Sequence, residues 1–223
     1  MSDMMRAKAH FGYSHFQQPM PRLQLRTRKE PSQARSQATV ESILDAATRV
    51  LAKQSLAGFN TNRVAEVAGV SIGSLYQYFP NKAALIVAVL DREHERLATA
   101  LESAVDRCAG KKLGDGIRVL ARLAIEQQYS DPVLAAALDH EEQRLPVEAQ
   151  LRQYDHRLSA ALMRFLALHR ATLPPDRVAP VVARDLLLIA RALVEAEAQQ
   201  TREPPSDLEE RLIRAMLGYL TAT

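Results

Sequence analysis

Between Asn60 and Lys82 the chain carries helix start and stop signals so closely spaced that two short helices and the opening of a third are nearly forced. Asn60 is a side-chain cap for a helix in which Val64, Val67 and Ala68 point inward, and Gly69 stops that helix. Ser71 caps the next, Ile72 to Phe79. Pro80 ends it, because proline has no amide hydrogen and disfavours a helical residue before it. Pro80 or Asn81 then opens a long helix, with Leu85, Val89, Leu97, Leu101, Val105 and Cys108 spaced for burial, running to about Ala109.

The same period extends in both directions. Val40, Ile43, Leu44, Ala47, Val50 and Leu51 form one face of a helix running from Gln37 to about Lys53. Gly110, Gly114 and Gly116 read as the loop after the long helix. Ile117, Leu120, Ala121, Ala124 and Ile125 then make an amphipathic stretch, Asp131 and Pro132 start a helix that stops before Pro146, and Leu151 to Leu166 lie on a longer one closed by Pro174 and Pro175. Two last helices are expected at about Arg177 to Gln200 and Ser206 to Leu220. Their apolar stripes are wide enough for central core or a subunit interface, and Ala190, Ala192 and Ala196 allow close approach, which favours dimerisation through these two helices. With aromatic residues at 5% and only 8 glycines in 223 residues, sandwiches, barrels and Gly-rich nucleotide-binding sheets are disfavoured, and the expected fold class is all-α.

Charge is distributed unevenly. Residues 1–35 hold seven cationic side chains against two acidic ones, a net of +5, while the rest sums to −2. With Pro19, Pro21 and Pro31 and no helical period, this stretch reads as a flexible basic arm able to touch a polyanion, or as a solvated tail. Its first residues lack a signal peptide's apolar core, and the best apolar run, Leu186 to Ala190, is too short to span a membrane. The single cysteine, Cys108, excludes an intramolecular disulfide and fits a reducing compartment. A soluble, cytoplasmic protein is expected.

Residues Thr61 to Tyr78 have the form of a helix-turn-helix. Ala65 lies where the helices cross, Gly69 sits at the turn, and Val70 and Leu75 fill the wedge, although any tight helical hairpin shares this pattern. If Leu75 and Phe79 face the core, then Ile72, Gly73, Tyr76 and Gln77 project the other way. Ile72 suits a thymine methyl, Gly73 a close backbone approach, and Ser74, Tyr76, Gln77 and Tyr78 can hydrogen-bond bases or phosphates. Tyr78 is equally well explained as a packing aromatic. Lys82 adds a cation for a phosphate, and Thr61 and Asn62 fall near the same groove edge.

The segment from Asn60 to Lys82, with Ala68-Gly69-Val70-Ser71, Leu75-Tyr76-Gln77-Tyr78-Phe79 and the following lysine in register, resembles the DNA-binding signature of the tetracycline-repressor (TetR) family of bacterial regulators; the likeness covers roughly residues 36–96. It implies a homodimer of all-helical subunits. Residues 36–96 would be an N-terminal three-helix helix-turn-helix domain, joined by a long fourth helix to a helical C-terminal domain, residues 97–223, for effector binding and dimerisation. By position, Asn62, Ile72, Gly73 and Ser74 would lie near bases, and Thr61, Tyr76, Gln77, Tyr78 and Lys82 near phosphates. The chain departs from the family in having Ser55 where a glycine usually follows the first helix, so a left-handed cap there costs about 1 kcal/mol or the helix ends differently.

No other chemistry competes. No two of the six histidines are spaced i, i+4, so no metal site is expected, and no cofactor is implied. Cys108 has no histidine near it in sequence, and Glu141 and Glu142 point to different sides of a helix, so an enzyme is not expected. Candidates to line an effector cavity are Cys108, Tyr129, His140, Tyr154, Met163, Phe165 and His169, none preferred. The expectation is a sequence-specific transcriptional regulator, a repressor released from a palindromic double-stranded operator by an unidentified small molecule. The alternative is a constitutive or nucleoid-type DNA-binding protein without an effector.

Overall fold

The computed structural model describes residues 34–222, with side chains given for all of these except Ala34, Arg35 and 148–150. The basic stretch 1–35 expected to act as an arm lies outside the described side chains. Every regular element among the described residues is helical: α1 Ala34–Gly58, α2 Thr61–Ala68, α3 Ile72–Tyr78, α4 Lys82–Asp106, α5 Leu113–Tyr129, α6 Pro132–Arg144, α7 Glu148–Leu168, a short 3-10 turn Pro175–Arg177, α8 Pro180–Ala198 and α9 Leu208–Thr221. None of these helices is long and apolar enough to cross a membrane.

Two apolar clusters organise them. The first gathers Ile43, Val50 and Leu51 of α1, Val64 of α2, Leu75 of α3 and Leu85 and Ile86 of α4, all essentially inaccessible. Burial of side chains this size contributes roughly 1.5–3 kcal/mol each. Ala137 and Leu138 of α6 join the same cluster, so α6 packs against the α1–α4 unit. The second holds Leu101, Val105 and Cys108 from the end of α4, Ile117 of α5, Phe165 of α7, Leu186 of α8 and Leu212 of α9. One helix, α4, runs unbroken between both. Arg92 pins it to α1 by donating to Asp45 Oδ1 at 2.8 Å, the Leu44 carbonyl at 3.0 Å and Thr48 Oγ1 at 2.6 Å. Arg157 of α7 holds the next turns through Glu95 and Glu102 at 2.5 and 2.9 Å.

Three local expectations need correction. The first helix does not stop at Lys53: helical structure continues to Gly58 across a kink at Ser55, whose φ of 53° and ψ of −173° are conformations that suit glycine. Gly114 and Gly116 are not loop residues but lie inside α5. Gly116 sits so close to α7 that an added Cβ would come within 2.7 Å of the Phe165 ring, so the glycine serves helix contact and does not break the helix. Finally, α4 ends at Asp106, three residues early, in a tight turn closed by Cys108 N–H to the Val105 carbonyl.

Candidate nucleic-acid interface

The α2–α3 unit is built by its caps. Asn60 Oδ1 accepts from Arg63 N–H at 2.8 Å and starts α2. Gly69 ends it at φ 69°, ψ 28°, with Val70 N–H reaching the Ala65 carbonyl at 3.0 Å and Gly69 N–H the Glu66 carbonyl at 3.1 Å, a Schellman closure. Ser71 Oγ accepts from Ser74 N–H at 3.0 Å and starts α3, Phe79 leaves the helix in extended conformation before Pro80, and Asn81 Oδ1 accepts from Ala84 N–H at 2.8 Å to start α4. Ser42 of α1 donates to the Ala68 carbonyl at 3.1 Å and fixes the end of α2.

On that frame α3 divides as its pattern requires. Leu75 and Phe79 are fully buried, whereas Ile72 and Tyr76 are 37% and 40% exposed, and Gly73 and Gln77 share the open side. Thr61 Oγ1 and the Tyr76 hydroxyl lie 2.9 Å apart, so the start of α2 is hydrogen-bonded to the tip of the tyrosine. Asn62 is exposed beside Thr61. Ser74 is half-buried and its hydroxyl pairs with Ser71 Oγ at 2.8 Å. At Gly73 an added Cβ would touch only Ser71 Oγ at 3.8 Å and φ is not positive, so nothing inside the subunit requires glycine there.

Two candidates sit differently from the rest. Tyr78 is only 9% exposed and belongs to the first apolar cluster, apart from the open face, so the packing explanation describes its position. Lys82 is exposed, but its ammonium donates to the Phe59 carbonyl at 2.9 Å and the Leu56 carbonyl at 3.5 Å and lies 5.3 Å from the Phe59 ring centre. It braces the α1–α2 link, with one of its three donors left over for an anion. Residue-level reading missed this brace, as it missed Ser42 and Arg92, since none of these contacts joins residues near in sequence.

The residues considered for an effector cavity do not converge. Cys108 and Phe165 are fully buried and His169 nearly so, around Gly116 in the second cluster, with the Phe165 and His169 rings 4.7 Å apart. Burial pushes the Cys108 thiol up and the His169 imidazole down, favouring the neutral form of each. Met163 is only partly buried at the edge of this cluster. Tyr154 stacks on His94 at 5.3 Å, and His140 and Tyr129 line two separate surface depressions.

Comparison with known proteins bears on this unit. Residues 43–89 match the family model for bacterial regulatory proteins of the tetR family. The chain is similar to the HTH-type transcriptional regulator TtgR of Pseudomonas putida, 41% identical over 81 residues, 35% of this chain and 36% of that protein. It is also similar to the HTH-type transcriptional repressor KstR of Mycolicibacterium smegmatis, 40% identical over 67 residues, 30% of this chain and 31% of that one. These matches thus span about a third of the length of either relative. In overall fold the chain resembles the crystal structure of a TetR transcriptional regulator from Rhodococcus sp. RHA1, with a TM-score of 0.60 at 22% identity over 84% of this chain and 98% of the other. The stretch that matches the tetR family model, residues 43–89, thus coincides with the unit just described, from the body of α1 to the start of α4.

Proposed function

We propose that this protein is a sequence-specific DNA-binding transcriptional regulator, a repressor released from a palindromic operator by a small molecule. The observation that carries the reading is the open side of α3, where a large aliphatic and an aromatic side chain stand in solvent on a seven-residue helix, with Tyr76 braced by Thr61. A helix of this kind fits the major groove with Ile72, Gly73, Ser74 and Asn62 toward bases and Thr61, Tyr76, Gln77 and the spare donor of Lys82 toward phosphates. Residues 36–96 would form the DNA-binding domain and 97–223 the effector and dimerisation domain. The working form would be a homodimer through α8 and α9, supported by Val181 and Leu188, 50% and 54% exposed on one face of α8. Its two recognition helices would enter successive major grooves about 34–36 Å apart. Residues 1–35 would add salt-dependent contacts beside each half-site. A regulator of this class works in the cytoplasm.

The test is selection of bound duplexes from a random pool with the full chain, followed by titration of the selected site. Tyr76→Ala should lower affinity at least about a hundredfold while stability falls by only about 1 kcal/mol, since the side chain is 40% exposed and its hydrogen bond to Thr61 lies at the surface. An unchanged isotherm would refute the assignment of this face.

A further inference from the structure

A groove of about 610 Å³ opens where three parts of the fold meet: the end of α1 (Ser55, Leu56), the outer side of α6 (Val133, Ala136, His140) and the chain just after α8 (Gln199, Thr201, Arg202). Its size is that of a small-molecule site. Leu56, Val133, Ala136, Ala137 and Ala198 supply apolar lining, and Gln199, Gln200, Thr201 and Arg202 supply polar lining. No aspartate or glutamate lines it. The Arg202 side chain is exposed and makes no ion pair or hydrogen bond among the described residues, and the same holds for the His140 side chain. Glu203, next to Arg202 in sequence, does not line the groove, and of the other acids on the adjoining elements Glu197 pairs with Arg211 at 2.7 Å, Glu195 with Arg191 at 2.5 Å and Asp131 caps α6. The carbonyls at the end of α8 are also occupied, that of Glu195 by Gln199 N–H, that of Ala196 by Gln200 Nε2 and that of Glu197 by Gln200 and Thr201 N–H. The groove therefore offers an apolar bed with one unpaired guanidinium at its edge, and the complementary occupant carries a negative charge.

We propose that this groove binds a small amphipathic carboxylate, apolar body against Leu56, Val133 and Ala136 and carboxylate at Arg202, and that occupancy weakens DNA binding. The second half rests on the regulator reading above. The route is short. Ser55 already holds a positive φ, and the next residue, Leu56, lends its carbonyl to Lys82, which also holds the Phe59 carbonyl just before the Asn60 cap of α2. A body pressed between α6 and Leu56 moves the link that orients Thr61 and, through it, Tyr76. Because the coupling is reciprocal, DNA must weaken the carboxylate by the same factor.

The test uses the full chain, with 1-naphthylacetate as probe and its uncharged amide as control, read by titration calorimetry and by anisotropy of a selected duplex. Wild type should bind the acid about tenfold more tightly than the amide, Arg202→Gln should remove that preference, and Ala136→Trp should fill the groove and abolish binding, both variants melting as wild type. Saturating acid should loosen the duplex for wild type and leave it unchanged for Ala136→Trp. No heat from wild type at millimolar acid, or full binding by Ala136→Trp, overturns the site. Equal binding of acid and amide overturns the charge assignment, and binding that leaves duplex affinity unchanged overturns the coupling. Should no duplex be selected, the regulator reading falls, while calorimetry still decides the groove.

Discussion

The Tyr76 hydroxyl is held by Thr61, so the ring reaches its place before any partner arrives and little rotamer entropy remains to be lost on contact. Gly73 supplies the complementary argument, because its lack of a side chain is not needed by the fold. Gly73→Ala, in the first turn of α3, should therefore leave stability unchanged or raise it by up to about 0.5 kcal/mol, while on the proposed docking of this face it should lower duplex affinity about tenfold or more, since the methyl group would stand where the groove wall comes. Urea melts and anisotropy titration of the same preparation check the two signs. A simultaneous gain in affinity would mean that the backbone at this position does not approach DNA. Ser55 carries the opposite mismatch, a non-glycine residue at φ 53°. Ser55→Gly relieves strain of about 1–3 kcal/mol and gives back part of it in unfolded-chain entropy, for a net gain of about 1 kcal/mol and a rise in Tm of about 2–4 °C by calorimetry.

Among the elements, α4 bears the most conflict, because its middle turns carry charge into the region between α6 and α7. Burial pushes the Asp91 carboxyl up, only partly offset by the nearby His94, while His94, by hydrogen bonding, holds Glu142 on α6 below the ordinary carboxylate range. The signs differ accordingly. Glu142 contributes stability above its unfolded pKa and loses it as pH falls through the lower folded value. Asp91 costs stability wherever it is ionised in the fold, and the cost fades as pH falls through its raised folded pKa toward the ordinary value. Asp91→Asn should thus be more stable than wild type at neutral pH, with the advantage shrinking to nothing below the ordinary carboxylate pKa near 3.9; urea melts across that range check it. The start of every α2–α4 element was legible, since Asn60, Ser71 and Asn81 act through hydrogen bonds to residues three positions on. What stayed hidden depends on distant neighbours. Gly116 reads as a breaker until Phe165 is seen against it, Lys82 reads as a free cation until Phe59 is beneath it, and Tyr78, unlike the outward Tyr76, stays open between packing and contact until the first cluster closes over it. The wide apolar stripe expected on the penultimate helix is real in composition, but it is split. Val182, Ala183, Leu186 and Val194 are buried within the subunit, leaving Val181 and Leu188 on the outside.

At the scale of the whole molecule that split is what the dimer proposal rests on. Val181 and Leu188 lie seven residues apart, two turns along α8, with Ala192 exposed one turn further and the exposed Arg184 and Arg191 flanking them, so the outer face offers two large apolar side chains and a small one between arginines to a second helix. The subunit core does not need these side chains, and a charge placed there separates the consequences for folding from those for assembly. Leu188→Glu should keep the monomer's melting behaviour within about 0.5 kcal/mol of wild type, because the position is 54% exposed, yet shift the sedimentation coefficient to that of a single chain. Loss of pairing removes the second recognition helix from its effective concentration at the adjacent half-site, so affinity for a full palindrome should drop about a hundredfold or more, while affinity for an isolated half-site stays as it was. A full-site loss matched by an equal half-site loss would place the damage in the DNA-binding unit, and a variant still sedimenting as a dimer would move the subunit interface away from this face of α8.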